Sequence, residues 1–242
     1  MIRLALCLCL LTALPAQADC RKALALGLDV SGSVDATEYR LQLDGVSAAL
    51  LHPDVQAALM AMPGAPIRLS VFEWSDIGYQ RLLIDWTTLD TPASTRDVAH
   101  RLNRTARTPA PPGTGLGQAM RFGAALLAQQ PDCWTRVLDL SGDGRHNTGP
   151  HPRDVKAALS HNSLTINALP VGTDALRQGD QDLEEISALS SYFRAWVILG
   201  PDAFVETALG FDDFEAAIVR KLLRELETPA LSALPMTNPT SN

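Results

Sequence analysis

Three short stretches set small oxygen donors beside carboxylates. In "LGLDVSGSVD" (26–35) Asp29 ends an apolar run, and Ser31 and Ser33 follow at alternate positions around Gly32, which permits a tight turn. "DLSGDG" (139–144) repeats the arrangement, with Asp143 in a glycine-bearing turn after another apolar run, and "PPGTGLGQA" (111–119) presents Thr114. Carboxylates and hydroxyls are hard oxygen ligands, the kind that Mg²⁺, Mn²⁺ or Ca²⁺ prefers and that zinc or copper does not. Two carboxylates and a few hydroxyls cannot fill six positions, so water or an oxygen from a partner must complete the shell.

Such donors are useful only if the fold brings them together. "ALALGLDV" (23–30), "IRLSVFEW" (67–74), "QRLLIDW" (80–86), "TRVLDLSGDG" (135–144), "LTINALPV" (164–171) and "AWVIL" (195–199) read as strands. Between them lie helical patterns over 34–51, 94–103, 116–128, 152–160, 181–191 and 210–227. Asp35 with Glu38 three residues on has capping-box spacing for the first helix. Phe211, Phe214, Ile218 and Leu222 share a face of the last. The link "SDIGY" is too short for a parallel crossover, so the strands that it joins form an antiparallel hairpin. Strands alternating with helices predict a doubly wound α/β sheet, mostly parallel with one antiparallel edge strand, and helices on both faces. In such sheets ligands bind at the carboxyl ends of the strands, where neighbouring connections leave to opposite faces. If the strands ending near Asp29 and Asp143 are central neighbours, their carboxylates converge there.

The chain has 242 residues, 46% of them apolar, enough for one full-sized core. Residues 1–18 read as an export signal: Arg3, an apolar stretch from Leu4 to Leu14, then Ala16-Gln17-Ala18. The mature protein is expected to begin at Asp19 and to be periplasmic or secreted. No later segment reaches the roughly 20 apolar residues needed to span a bilayer, and Asp19 before Cys20 argues against a lipid anchor. Loss of Arg3 takes the formal charge from −7 to −8, with 19 basic against 27 acidic residues. Without a basic run, nucleic acid and anionic membrane surfaces are poor partners. Cys7 and Cys9 leave with the signal. The remaining pair, Cys20 and Cys133, reads as a disulfide in an oxidising compartment, with a metal pair as the alternative. Residues 228–242 read as a frayed tail.

Asp-x-Ser-x-Ser after the first strand, the Gly-Thr turn before a central helix and the Asp-Gly turn after the fourth strand resemble the metal-ion-dependent adhesion site of von Willebrand factor A-type domains. The resemblance extends over roughly residues 23–227, within a domain of residues 19–227, and is greatest to exported bacterial proteins with an isolated A-type domain. It implies that Asp29, Ser31, Ser33, Thr114 and Asp143 hold a divalent cation, Mg²⁺ or else Mn²⁺ or Ca²⁺. It also implies that a carboxylate of a protein partner supplies the missing ligand. The expected role is a binding module and not an enzyme, with no catalytic residues. Since the chain is acidic, such a partner must be recognised locally, through the ion. On the implied topology Cys20, nine residues before Asp29, and Cys133, ten before Asp143, meet at the opposite end of the sheet.

Plainer readings exist for each feature. Asp and Ser are common turn formers, and Thr114 alone could cap a helix. "GTGLG" (113–117) lacks the spacing and context of a nucleotide loop. His146 and His151 read as loop residues, Trp74, Trp86, Trp134 and Trp196 as core or strand-end packing, and Asp76, Arg145 and Asn147 as residues of the site's rim. A phosphate-ester hydrolase with Asp29 as nucleophile is an alternative function, but the acid–base carboxylate expected two residues later is Ser31. A structural protein whose ion only orders loops is another.

Overall fold

The computed structural model describes residues 20–172 and 180–227, with backbone only at 180–182. The expected signal (1–18) and tail (228–242) lie outside the described residues.

Strand β1 (Cys20–Asp29) is buried along nearly its whole length, as a strand covered on both faces must be. It pairs in parallel with β2 (Ile67–Trp74) and β4 (Cys133–Gly142). Antiparallel to β2 runs β3 (Gln80–Leu89), and parallel to β4 runs β5 (Thr165–Pro170), so the order is β3-β2-β1-β4-β5. The sheet is therefore mostly parallel with β3 as its antiparallel edge, and the strands ending near Asp29 and Asp143 are central neighbours.

Alternation along β1 divides the core. Leu24, Leu26 and Leu28 join one apolar cluster, covered by α1 (Ala36–Leu51), α2 (Pro53–Met60), α3 (Pro92–Asn103) and α7 (Phe214–Leu226). Ala23 and Ala25 join the other, under α4 (Leu116–Leu127), α5 (Pro152–Leu159) and α6 (Asp180–Trp196). The small residues on that second face let α4 lie close: a Cβ at Gly123 would stand 2.3 Å from the Leu138 side chain. The capping box of α1 is present, since Asp35 Oδ1 accepts from Thr37 N and Glu38 N while Glu38 accepts from Asp35 N.

The disulfide joins Cys20 to Cys133, which are register partners on β1 and β4 with Cα atoms 4.4 Å apart. It staples the amino end of the two central strands, the end away from Asp29 and Asp143.

Three expectations change. "AWVIL" is not a strand: α6 runs through Trp196, Val197 N donates to Phe193 O, and only Leu199 forms an antiparallel bridge with Ile166 before Gly200 turns the chain at φ +97°. Helix α2 follows α1 after one residue, His52, whose Nδ1 accepts from Asp54 N ahead of Pro53 at the first helical position. Trp74 is fully buried and Trp134 stands 56% exposed at the start of β4, whereas Trp196, 36% exposed, ends α6 and not a strand.

Candidate metal centre

Asp29 is the last residue of β1 and only 1% exposed. Its backbone is fixed on two sides, because Val30 N donates to Trp74 O and Gln42 Nε2 of α1 donates to Asp29 O. Its side chain bends back on the following turn, with Oδ1 accepting from Ser31 N at 2.8 Å. Oδ2 is buried with no hydrogen-bond partner. This is an unusual condition for a carboxylate, since a buried acceptor without a partner costs free energy.

The turn carries the two hydroxyls around to β4. Ser31 Oγ lies 3.4 Å from Ser33 Oγ, and Ser33 Oγ donates to Asp143 Oδ1 at 2.7 Å. Gly32 lets the turn press against the 106–115 segment: Gly32 N donates to Pro112 O, and a Cβ at Gly32 would stand 2.8 Å from Pro112 Cβ. At the end of β4, a Cβ on Gly142 would stand 3.1 Å from Asp29 Oδ2, so the backbone there closes over the unpartnered oxygen.

Thr114 comes from the breaker-rich segment before α4, which is held by side chains of α1, of β3 and of the β2–β3 turn. Tyr79 pairs with Thr108, Arg81 donates to Ala106 O, and Arg40 donates to Thr105 O. Gly115 N donates to Ser75 O at 2.6 Å. Thr114 itself is fixed by Asn147, whose Oδ1 accepts from Thr114 N at 2.8 Å and whose Nδ2 lies 3.3 Å from Thr114 Oγ1. Thr114 Oγ1 faces Gly144, 4.0 Å from where a Cβ would stand there. All five expected residues therefore gather at one edge of the sheet. Asp29, Ser31, Ser33 and Asp143 are linked by direct contacts, and Thr114 stands beside the Asp143–Gly144 turn.

The electrostatics suit a cation. Burial, then the charge of Asp143, pushes the Asp29 carboxyl up to about 8 against the opposing Ser31 hydrogen bonds. Burial also raises Asp143, opposed by Ser33. Neither carboxylate has a Lys or Arg partner among the described residues. No cluster of three or more His, Cys, Asp or Glu suited to a metal occurs among them either, so a site here is built from two carboxylates and hydroxyls.

Other expectations resolve around this centre. His151 caps α5, its Nδ1 accepting from Arg153 N, and packs 5.2 Å from His146. Asp76 accepts from Thr148 Oγ1 and would crowd any Cβ at Gly113, which places it on the rim. Two further residues matter more than the sequence suggested. Asn147 holds Thr114, and Gln42, buried in α1, reaches both Asp29 O and Ser141 Oγ across the ends of β1 and β4. Only a polar residue on an otherwise core-facing helix position could have signalled Gln42.

The family described as "Protein of unknown function (DUF1194)" matches residues 19–230. No curated protein matches the chain. Among solved structures, proximal thread matrix protein 1 from the mussel byssus, with a zinc-occupied metal-ion-dependent adhesion motif, is similar at 16% identity and a TM-score of 0.56. That match covers 86% of this chain and 48% of the mussel protein. The pilus adhesin SpaC from Lactobacillus rhamnosus GG is similar at 14% identity and a TM-score of 0.58, over 86% of this chain and 30% of the adhesin. A von Willebrand factor type A structure from Catenulispora acidiphila is similar at 15% identity and a TM-score of 0.52, over 86% and 42%. This chain spans less than half the length of each of them, and its fold is that of a von Willebrand factor A-type domain.

Proposed function

For a chain that belongs to the DUF1194 family and has this fold, we propose an exported binding module that uses a divalent cation to hold a carboxylate of a protein partner. Asp29, Ser31, Ser33, Thr114 and Asp143 are the cation's ligands in this reading. The observation that carries it is Asp29 Oδ2, a buried carboxylate oxygen without a partner, set among hydroxyls and a second carboxylate.

The bound ion would supply one concentrated positive charge at the sheet edge. Asp29 and Asp143 balance that charge without exceeding it, and the hydroxyls add oxygen ligands without adding charge. An anionic oxygen from outside is then still attracted. Burial of Asp29 beneath the turn keeps water from competing on that side. The donor set favours Mg²⁺, but the zinc held by the mussel protein's motif puts zinc among the ions to test. The similar pilus protein is an adhesin, which supports protein binding here. The disulfide supports an oxidising compartment and hence export. Catalysis is not part of the reading, because Ser31, two residues after Asp29, cannot serve as the acid and base that a phosphate-ester hydrolase would need there.

The test is cross-linked capture from the native cell envelope with wild-type and Asp29→Asn protein, in Mg²⁺ and in chelator. The expected result is a partner retained only by wild type in Mg²⁺. Capture indifferent to chelator would overturn the reading, and Mg²⁺-dependent turnover of phosphate esters abolished by Asp29→Asn would replace it with hydrolysis.

A further inference from the structure

A cavity of about 250 Å³ opens beside the candidate metal centre, and Asp143 belongs to both. Arg145, Val171, Leu183, Ile186 and Leu209 also line it. Val171 and Ile186 are buried, whereas Leu183 on α6 and Leu209 are 52% and 44% exposed. Two large apolar side chains left in water in the lining of a concave surface mark it as a place that receives something.

One wall of the cavity is fixed by backbone hydrogen bonds. Val171 N donates to Gly142 O and Gly172 N to Ala208 O, so the end of β5 is tied to β4 and to the segment carrying Leu209. Gly172 is required for that approach, because a Cβ there would stand 2.4 Å from Leu209 O. Its charge pattern is also informative. The Arg145 guanidinium sits 5.8 Å over the Tyr192 ring and makes no ion pair among the described residues, a free cation on a chain of net charge −7. Glu185 lines the cavity too, which disfavours a second acidic group inside it.

Resting on the cation-bridged reading above, we propose that this cavity receives a bulky aliphatic or aromatic side chain of the same partner segment that offers its carboxylate to the ion. An extended chain advances about 3.3–3.6 Å per residue, so two subsites sharing Asp143 are filled by side chains within two positions of each other. The size fits, since an apolar cavity of about 150 Å³ accepts a benzene ring. The partner is thus an acidic-plus-apolar peptide segment, its carboxylate at the ion and its apolar side chain against Leu183 and Leu209.

The experiment selects a displayed library of random peptides on the purified protein in Mg²⁺ and in chelator. The expected Mg²⁺-dependent pool is rich in Asp or Glu with Leu, Ile, Met, Phe or Trp within two positions. A selected peptide should bind the Leu183→Ser, Leu209→Ser double variant about tenfold more weakly. Its counterpart with the apolar residue replaced by Ser should bind both proteins alike. Mg²⁺-dependent enrichment of Asp or Glu with random neighbours overturns the cavity's role and leaves the cation reading standing. A pool without Mg²⁺-dependent acidic residues overturns both. A wild-type dimer in sedimentation that the double variant converts to monomer would assign the surface to a second copy of the chain and overturn the proposal.

Discussion

Ser33 Oγ donates a hydrogen bond to Asp143 Oδ1 at 2.7 Å, joining residues 110 positions apart. The contact closes the gap between the turns leaving the two central strands, and it depends on β1 and β4 being neighbours in register. The chemistry of the site therefore follows from the topology of the sheet.

Asn147 holds one of the site's ligands in place without being a ligand in this reading. Its amide fixes both the backbone and the hydroxyl of Thr114. Asn147→Ala is expected to weaken Mg²⁺ binding by about tenfold, the lower end for loss of a group that orients a ligand, with little change in melting temperature in chelator. Titration calorimetry paired with thermal melting checks this, and an unchanged affinity would mean that Thr114 is placed by its loop alone.

The Cys20–Cys133 bridge spans 113 residues of sequence. In the chain-entropy account, closing a loop of that length stabilises by about 4 to 5 kcal/mol. Cys20→Ser with Cys133→Ser should lower stability to urea by an amount of that order while Mg²⁺ affinity stays within twofold, because the bridge lies at the far end of the strands. A comparable loss of ion affinity would tie the two ends together.

A second charged assembly lies inside the core, apart from the site. Lys221 on α7 is fully buried and pairs with Asp139 at 2.8 Å and Glu225 at 3.1 Å. Asn167 donates to the Glu225 carboxylate, and Lys22 donates to its carbonyl. Lys221→Met leaves Asp139 and Glu225 buried without their shared cation and should cost about 3–5 kcal/mol in urea unfolding. Burial raises the Asp139 carboxyl to about 6, with Lys221 opposing and Glu225 adding. A folded value above the unfolded one of about 3.9 means that the native state keeps a proton that the unfolded chain has lost. The resulting stability is fully present at lower pH and is lost as pH rises through about 6. In chelator, wild type should therefore lose stability relative to Asp139→Asn between pH 5 and pH 7.5. Parallel profiles would show that Asp139 stays ionised beside Lys221 throughout.

Much of this arrangement was legible in the sequence, for physical reasons that also explain the misses. β1 reads as a strand because both its faces are covered and its apolar run is unbroken, and Asp29 stands out because it ends that run. Asp35 and Glu38 announce α1 because their spacing matches the turn that they cap. "AWVIL" misleads because five apolar residues look alike in a buried helix end and in a strand; here Val197 completes a helical turn and Leu199 alone pairs with β5. α2 was hidden because only His52 separates it from α1. The Asp139–Lys221–Glu225 assembly was invisible because charge in a strand interior and on an amphipathic helix reads as solvent-facing until β4 and α7 are packed together. Asn147 and Gln42 act through contacts between elements distant in sequence, which no local pattern reports.

The most direct measurement is calorimetric titration of Mg²⁺, Mn²⁺ and Zn²⁺ into the wild-type protein and Asp29→Asn. Asparagine keeps an oxygen to accept from Ser31 N and removes the charge, so the variant should keep the fold and its melting behaviour in chelator. The account predicts one ion per wild-type chain, with the heat of binding abolished in the variant. Wild-type affinity in Asp29→Asn, or a wild-type chain that takes up none of the three ions, would contradict it.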